Sequence, residues 1–296
     1  MQINDYIGRY KKLLVNLVKY GLFVGCCWFI YARLSSVGID FSIIDFREFK
    51  LTLAVVLLLM PVNWLLEAWR WQLSVPFESI SLSHSLAVVL RGLTLNWVVP
   101  FTAGDLGSRI MQVAHIGRTL MSVGFNRLVI LLVTVIYGGA AVFFFLHQGS
   151  WSYYLVLAVA VLVSLAVWGV WRKQLFGVSL DFLSSRLALF ISLITILRYA
   201  VFTFQLFLLF HFFVPELSAE VVLMGIGWVF LFRTVVPSVM GQIGIREASS
   251  IVFFEAYTDR IDLIVLACLI IWLINTIIPS ILGLIPLIRV KPKLAR

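Results

Sequence analysis

Residues 231–250 read LFRTVVPSVMGQIGIREASS, which sets Pro237, Gly241, Gly244, Arg246 and Glu247 inside otherwise apolar sequence. The same string stands 137 positions earlier, in LNWVVPFTAGDLGSRI at residues 95–110, with Pro100, Gly104, Gly107 and Arg109 at matching places. Both copies spell V-V-P-x-x-x-G-x-x-G-x-R. Six matched positions drawn from the chain's rarer residues indicate duplication rather than chance. Proline lacks the N–H that a continuing helix needs and biases the residue before it away from helix. Glycine admits left-handed backbone and close approach. Each copy therefore predicts a broken helix with a hinge: Pro100, Gly104 and Gly107 in the first, Pro237, Gly241 and Gly244 in the second.

Working outward, apolar runs long enough to cross a hydrocarbon core of about 30 Å lie at 13–32, 51–73, 124–146, 151–171, 187–213 and 263–288. Shorter runs at 84–99 and 220–236 each end at a hinge. More polar pieces follow, 105–118 and 244–257. At about 1.5 Å per residue those pieces are too short to cross alone, so each pair is expected to form a re-entrant hairpin. Shifting the chain by 137 lays each long run of the first half on one of the second. The expected architecture is an all-α integral membrane protein, a single membrane domain over 1–296. Six full spans and two re-entrant hairpins are arranged as an inverted repeat, 13–146 against 150–288. Inverted repeats with interrupted helices near the midplane recur in transporters.

Composition agrees with a membrane protein. The 296 residues are 62% hydrophobic and only 12% charged, with a mean hydropathy of +1.05; soluble domains carry about a quarter charged residues. The net charge of +9 does not point to nucleic acid, because the basic residues are scattered among short loops and chain ends. With the N-terminus inside, the inner segments hold Arg9, Lys11, Lys12, Arg118, Arg172, Lys173, Arg186, Arg289, Lys291, Lys293 and Arg296. The outer ones hold Arg33, Arg47, Lys50 and Arg260, offset by nearby acids. That asymmetry predicts cytoplasmic N- and C-termini. Ten crossings, with each hairpin spanning fully, would place the ends alike. The basic N-terminal stretch before the first apolar run resembles a signal peptide but lacks a small-residue cleavage site, so a retained helix is expected. Cys26, Cys27 and Cys268 show no disulfide or metal spacing and read as packing residues.

The charges inside apolar segments are the candidate substrate-binding residues, since such charges seldom survive there without a partner or a task. Arg109 and Arg246 each follow a hinge and stand near the positive end of a second arm, where a guanidinium suits bidentate contact with phosphate. Asp105 follows the first hinge directly and Glu247 adjoins Arg246. Arg91 and Arg233 lie in the first arms, and Arg198 lies deep in its span. Glu67 and Arg70 sit three apart on one helix face, with Arg70 expected to snorkel; Arg127 reads as an interfacial anchor. Asn63 and Asn275 either satisfy broken backbone or touch substrate. No metal is expected, because His84, His115, His147 and His211 lack ligand spacing. No cofactor fingerprint or nucleophile elbow is present.

The residues Asn96, Pro100, Gly104 and Ser108-Arg109, with the later P-x-x-x-G-x-x-G-x-R-E from Pro237 to Glu247, resemble the flippase-like integral membrane family related to the transmembrane region of lysylphosphatidylglycerol synthases. The likeness covers about residues 10–290; Asp105 departs from it, standing where many members carry Glu. It implies a multi-pass protein of the bacterial cytoplasmic (inner) membrane that moves an anionic, phosphate-bearing lipid between leaflets, either an aminoacylated phospholipid or a polyprenyl-linked lipid. No soluble aminoacyl-transferase domain accompanies the membrane region, so synthesis of lysylphosphatidylglycerol is not expected. Three functions follow in order of expectation. The first is a lipid flippase. The second is a non-transporting partner that holds lipid for a glycosyltransferase or other lipid-modifying enzyme. The third, a disfavoured one, is a membrane transferase using Glu67, Asp105 or Glu247. A homo-oligomer is compatible with each.

Overall fold

A computed structural model describes residues 24, 28, 31–32, 46–97, 99, 103–147, 184–236 and 244–288. The first half contains α1 (Phe46–Ser74), α2 (Leu82–Leu95), α3 (Ala103–Ile110) and α4 (Ile116–Leu146). The second contains α5 (Ser185–Phe213), α6 (Ala219–Val235), α7 (Ile245–Phe254) and α8 (Ile261–Trp272). A π-helical turn, Leu273–Ile277, then leads into two short helices, α9 (Ile278–Leu282) and α10 (Leu284–Ile288). There are no strands among the described residues.

Arg47–Ser74, Ile116–Leu146, Arg186–Phe213 and Ile261–Ile288 are each long and apolar enough to cross a membrane. The chain is therefore a multi-pass, all-helical membrane protein. Its outward faces carry Leu58, Leu65, Leu131, Val135, Leu193 and Ile196, all exposed, as lipid contact requires. Because lipid tails are as apolar as these side chains, van der Waals fit and interhelical hydrogen bonds, rather than exclusion of water, hold such helices together. The expected spans 13–32 and 151–171 lie almost wholly outside the described residues, as do Pro100, Pro237, Gly241, Cys26 and Cys27.

The helices on either side of each interruption pack together, α2 on α3 and α6 on α7. In the first, α2 and α3 lie so close that a Cβ on Gly104 would stand 2.5 Å from the carbonyl carbon of Leu95. Asn96 Oδ1 accepts from the Asp105 N–H at 2.9 Å, which caps the returning arm. In the second, Trp228 Nε1 donates to the Ser249 carbonyl at 3.0 Å across α6 and α7. Gly244, with φ of 91°, opens α7 in the left-handed region where a side chain is strained. The offset of 137 reappears in detail. Ser81 caps α2 by accepting from the His84 N–H, and Ser218 caps α6 by accepting from the Val221 N–H, both at equivalent positions.

The halves interlock. α1 runs along α5, α4 along α6, and α9 and α10 rest on α2. The largest apolar core lies among α5, α6, α7 and α8, where Phe210, Phe253, Phe254 and Ile226 are fully buried. Phe210 meets Phe254 edge-on at 5.0 Å, a geometry aromatic quadrupoles favour.

One expected boundary is corrected. The polar arm read as 105–118 ends at Ile110, and Arg118 belongs to the next long helix, which starts at Ile116 rather than 124. The reason is Glu78, in the loop after α1. Its Oε1 accepts from the Ala114 and His115 N–H groups at 2.8 and 3.0 Å, and His115 Nδ1 lies 3.1 Å away. These contacts end one helix and start another. Burial alone would raise the Glu78 carboxyl. The hydrogen bonds from His115 and Ala114 outweigh it and hold the group below its ordinary value of 4.5. A carboxylate with a depressed folded value contributes stability that is complete above its unfolded value and is lost as pH falls through the folded one. The expected result is a melting midpoint that drops on acidification through that window in the wild type, and drops less in Glu78→Gln. Tryptophan fluorescence of the purified protein on heating measures it.

Candidate functional site

The site is built on one stripe of α1. Asn63, Glu67 and Arg70 recur at helical spacing and so share a face, with relative exposures of 1%, 4% and 3%. Opposite them α5 presents Thr195 and Arg198, and α3 presents Arg109. Three guanidiniums from three helices converge on the Glu67 carboxylate. Arg70 Nη2 lies 2.6 Å from Oε2, Arg109 Nη2 2.8 Å from Oε1, and Arg198 Nη1 2.9 Å from Oε2. These are charge-assisted distances. Arg109 Nε also donates to Asp105 Oδ1 at 2.9 Å, Arg198 Nε to Asn63 Oδ1 at 3.1 Å, and Arg70 Nη1 to Thr195 Oγ1 at 3.3 Å. Aromatic faces complete the shell. The Arg109 guanidinium carbon is 4.7 Å from the centre of the Trp71 ring, and that of Arg198 is 5.3 Å from Trp64, within the range of a cation–π contact.

This cluster forms one wall of a cavity of about 580 Å³. Asn96, Asn126, Arg127, Tyr199, Phe202, Phe230, Arg233 and Thr234 also line it. Arg233 lies near Phe202 and Phe230, with its guanidinium carbon 5.4 and 5.9 Å from their ring centres, and Tyr199 shares a hydrogen bond with Thr134. Within the hydrogen-bonded cluster, three guanidiniums face two carboxylates, which leaves one positive charge uncompensated. Arginine stays protonated in proteins, so an apolar surrounding makes that charge attractive to an anion.

The expected site residues fall into two groups. Arg109, Asp105, Arg198 and Arg233 line the cavity. Arg91, Arg246 and Glu247 do not. Arg91 bonds across the first hairpin, Nε to Ser108 Oγ at 2.9 Å and Nη2 to the Ser108 carbonyl at 3.1 Å. Arg246 is 1% exposed and donates to the Cys268 carbonyl at 3.2 Å. Glu247 Oε2 accepts from the Gly244 N–H at 2.7 Å, closing the first turn of α7. Arg246 Nε and Glu247 Oε1 are buried without a hydrogen-bond partner among the described residues. Gly104 and Gly107, expected at the hinge, lie inside α3 instead; Gly104 lets α2 approach closely, whereas a Cβ on Gly107 would meet nothing within 4 Å.

Arg70 does not snorkel; the Glu67 charge beside it makes an inward course favourable. Arg127 lines the cavity. Of the two asparagines, Asn63 faces the cavity and Asn275 donates to Gln205 Oε1 at 2.9 Å beside the π-helical turn. The expected role of Glu67 as a neighbour of Arg70 is a fraction of its part, since it also holds Arg109 and Arg198. The N63-x-x-x-E67-x-x-R70 spacing could have shown that the three share one face; nothing in the sequence names their partners on α3 and α5.

The duplicated plan carries this chemistry on one side only. Positions 137 beyond Glu67, Arg70, Arg91 and Ser108 are Phe204, Phe207, Trp228 and Ile245. Where Arg91 ties the first hairpin with its guanidinium, Trp228 ties the second with its indole N–H.

Fold and site together define a class: a multi-pass helical membrane protein with an arginine-lined cavity among its helices. Compared with protein-family models, curated proteins and solved structures, the chain matches none.

Proposed function

We propose that this protein is a lipid flippase, moving an anionic, phosphate-bearing lipid between the leaflets of a bacterial cytoplasmic membrane. The observation that supports it is the uncompensated positive charge at the Glu67 cluster, facing a cavity of about 580 Å³ among helices able to cross a bilayer. That volume is in the range of small-ligand sites, enough for a headgroup while the tails stay in lipid. On this reading the chain is an inverted repeat of six spans and two re-entrant hairpins with both termini cytoplasmic. The resemblance to the membrane region of lysylphosphatidylglycerol synthases belongs to the same proposal. The substrate is then an aminoacylated phospholipid or a polyprenyl-linked lipid. The protein acts as a transporter rather than an enzyme, with rocking of one repeat against the other exposing the cavity to each side in turn.

The test is leaflet exchange in liposomes holding the purified protein and a panel of phosphatidylglycerol, lysylphosphatidylglycerol, phosphatidylethanolamine and a polyprenyl phosphate. Selective movement of one phosphate-bearing lipid is expected. Arg198→Ala is expected to slow it about 10- to 100-fold, the worth of one hydrogen bond to a charged group. Failure of the folded wild type to move any lipid on the panel would defeat the reading and favour the non-transporting partner.

A further inference from the structure

The three arginines around Glu67 are not equivalent. The side chains of Arg70 and Arg109 are 4% and 6% exposed, whereas that of Arg198 is 25% exposed. Arg198 spends Nε on Asn63 and Nη1 on Glu67. Its Nη2 has no hydrogen-bond partner among the described residues, and the side chain lines the cavity. Of the three arginines on Glu67, Arg198 is therefore the one most open to an anion in the cavity.

A second asymmetry concerns which parts of the molecule the bonds join. Arg70 lies on the same helix as Glu67, and Arg109 belongs to the same half. Only Arg198 comes from the other half, 131 residues away. Its bonds to Glu67 and Asn63, with that of Arg70 to Thr195, are the polar ties across the α1–α5 interface at this level.

We propose that Glu67 is the resident anion of the cavity. Its carboxylate occupies the place that the substrate's phosphate takes on Arg198, and substrate binding draws Arg198 away from it. This rests on the reading of the cavity as an anionic-headgroup site. The exchange is close to neutral in charge, because one anion replaces another on the same guanidinium. Glu67 keeps Arg70 and Arg109, so the first half retains its internal ties. The bonds given up are those that Arg198 makes to α1, while Arg70 keeps Thr195 and Gln205 keeps the Val56 carbonyl. Occupancy is thereby coupled to a loosening of the α1–α5 contact at this level, and Glu67 acts as a positioning residue that sets affinity for the anion.

The experiment uses the full chain purified in detergent, with inorganic phosphate and a short-chain phosphatidic acid as separate calorimetric titrants, alongside leaflet exchange of phosphatidic acid in liposomes. Glu67→Gln, which keeps the size and an acceptor but removes the competing charge, is expected to bind the titrant about tenfold more tightly, a gain of about 1.4 kcal/mol, while exchange slows. Arg198→Ala is expected to weaken binding about 10- to 100-fold in both backgrounds. If Glu67→Gln does not fold, Glu67→Asp serves instead. It keeps the charge on a shorter arm that cannot span all three arginines, and it too is expected to bind more tightly. Unchanged or weaker binding in the folded variant overturns the assignment of Glu67. Tighter binding of inorganic phosphate without the lipid supports the resident anion while refuting the lipid source. No binding or movement of either probe by the folded wild type overturns both this inference and the site reading beneath it.

Discussion

Glu67→Ala is expected to destabilise the folded protein by about 3–5 kcal/mol, the usual effect of removing one partner from a buried ion pair. The direction follows from charge rather than from lost volume. In the wild type a single carboxylate, 4% exposed, answers three guanidiniums. Without it, Asp105 remains to balance Arg109, and Arg70 and Arg198 are left facing each other in a weakly polar surrounding. Neither can shed its proton, so the cost cannot be relieved by titration. Arg70 is the more affected, since its Nε already lacks a partner and Thr195 is its other acceptor. Combining Glu67→Ala with Arg70→Leu is expected to cost less than the two separate changes together, because the second removes a charge that the first has stranded. Unfolding midpoints of the three variants in one detergent decide this; an additive double variant would show that the pair is not coupled.

Gly283→Ala is the second large effect, with an expected loss of about 1–3 kcal/mol from overpacking. A Cβ there would stand 2.1 Å from the Leu90 carbonyl oxygen and 2.4 Å from Thr94 Oγ1. The first obstacle is backbone, which cannot swing aside, and Thr94 is already committed to the Ser280 carbonyl at 2.6 Å. Gly138 is its counterpart, lying over Gly227 and Leu231, with a Cβ that would be 2.4 Å from Leu231 Cβ. Leu90 and Thr94 shifted by 137 are Gly227 and Leu231. Gly138, on α4, and Gly283, between α9 and α10, thus meet positions that are 137 apart, although the two glycines are themselves 145 apart. Gly138→Ala is expected to cost a similar amount, since Leu231 Cβ is fixed by the backbone and cannot swing aside. Thermal unfolding of both variants in one detergent checks the two losses.

Much of the fold was legible because membrane spans announce themselves one-dimensionally. A run of apolar residues needs no tertiary partner to be read, whereas Gly104 and Gly107, read as hinge positions, lie inside α3. The start of α4 was not legible. It depends on Glu78, more than thirty residues earlier, meeting the Ala114 and His115 N–H groups, and a loop carboxylate in sequence looks like any solvated charge. The candidate site was legible in part, since charges in apolar runs are conspicuous. Their partners were not. Arg109 and Arg246 hold equivalent places in the duplicated motif, yet one lines the cavity and the other is buried against the Cys268 carbonyl.

The sequence by itself determined the class of the molecule and where its long apolar helices run, because hydropathy acts through the chain's immediate neighbours and the solvent. Only the tertiary structure decided which arginines share a carboxylate. Glu67 meets Arg109 across 42 residues and Arg198 across 131, separations at which partners are chosen by how whole helices pack. A duplicated backbone plan leaves that choice open, and the phenylalanines at 204 and 207 make it on one side alone.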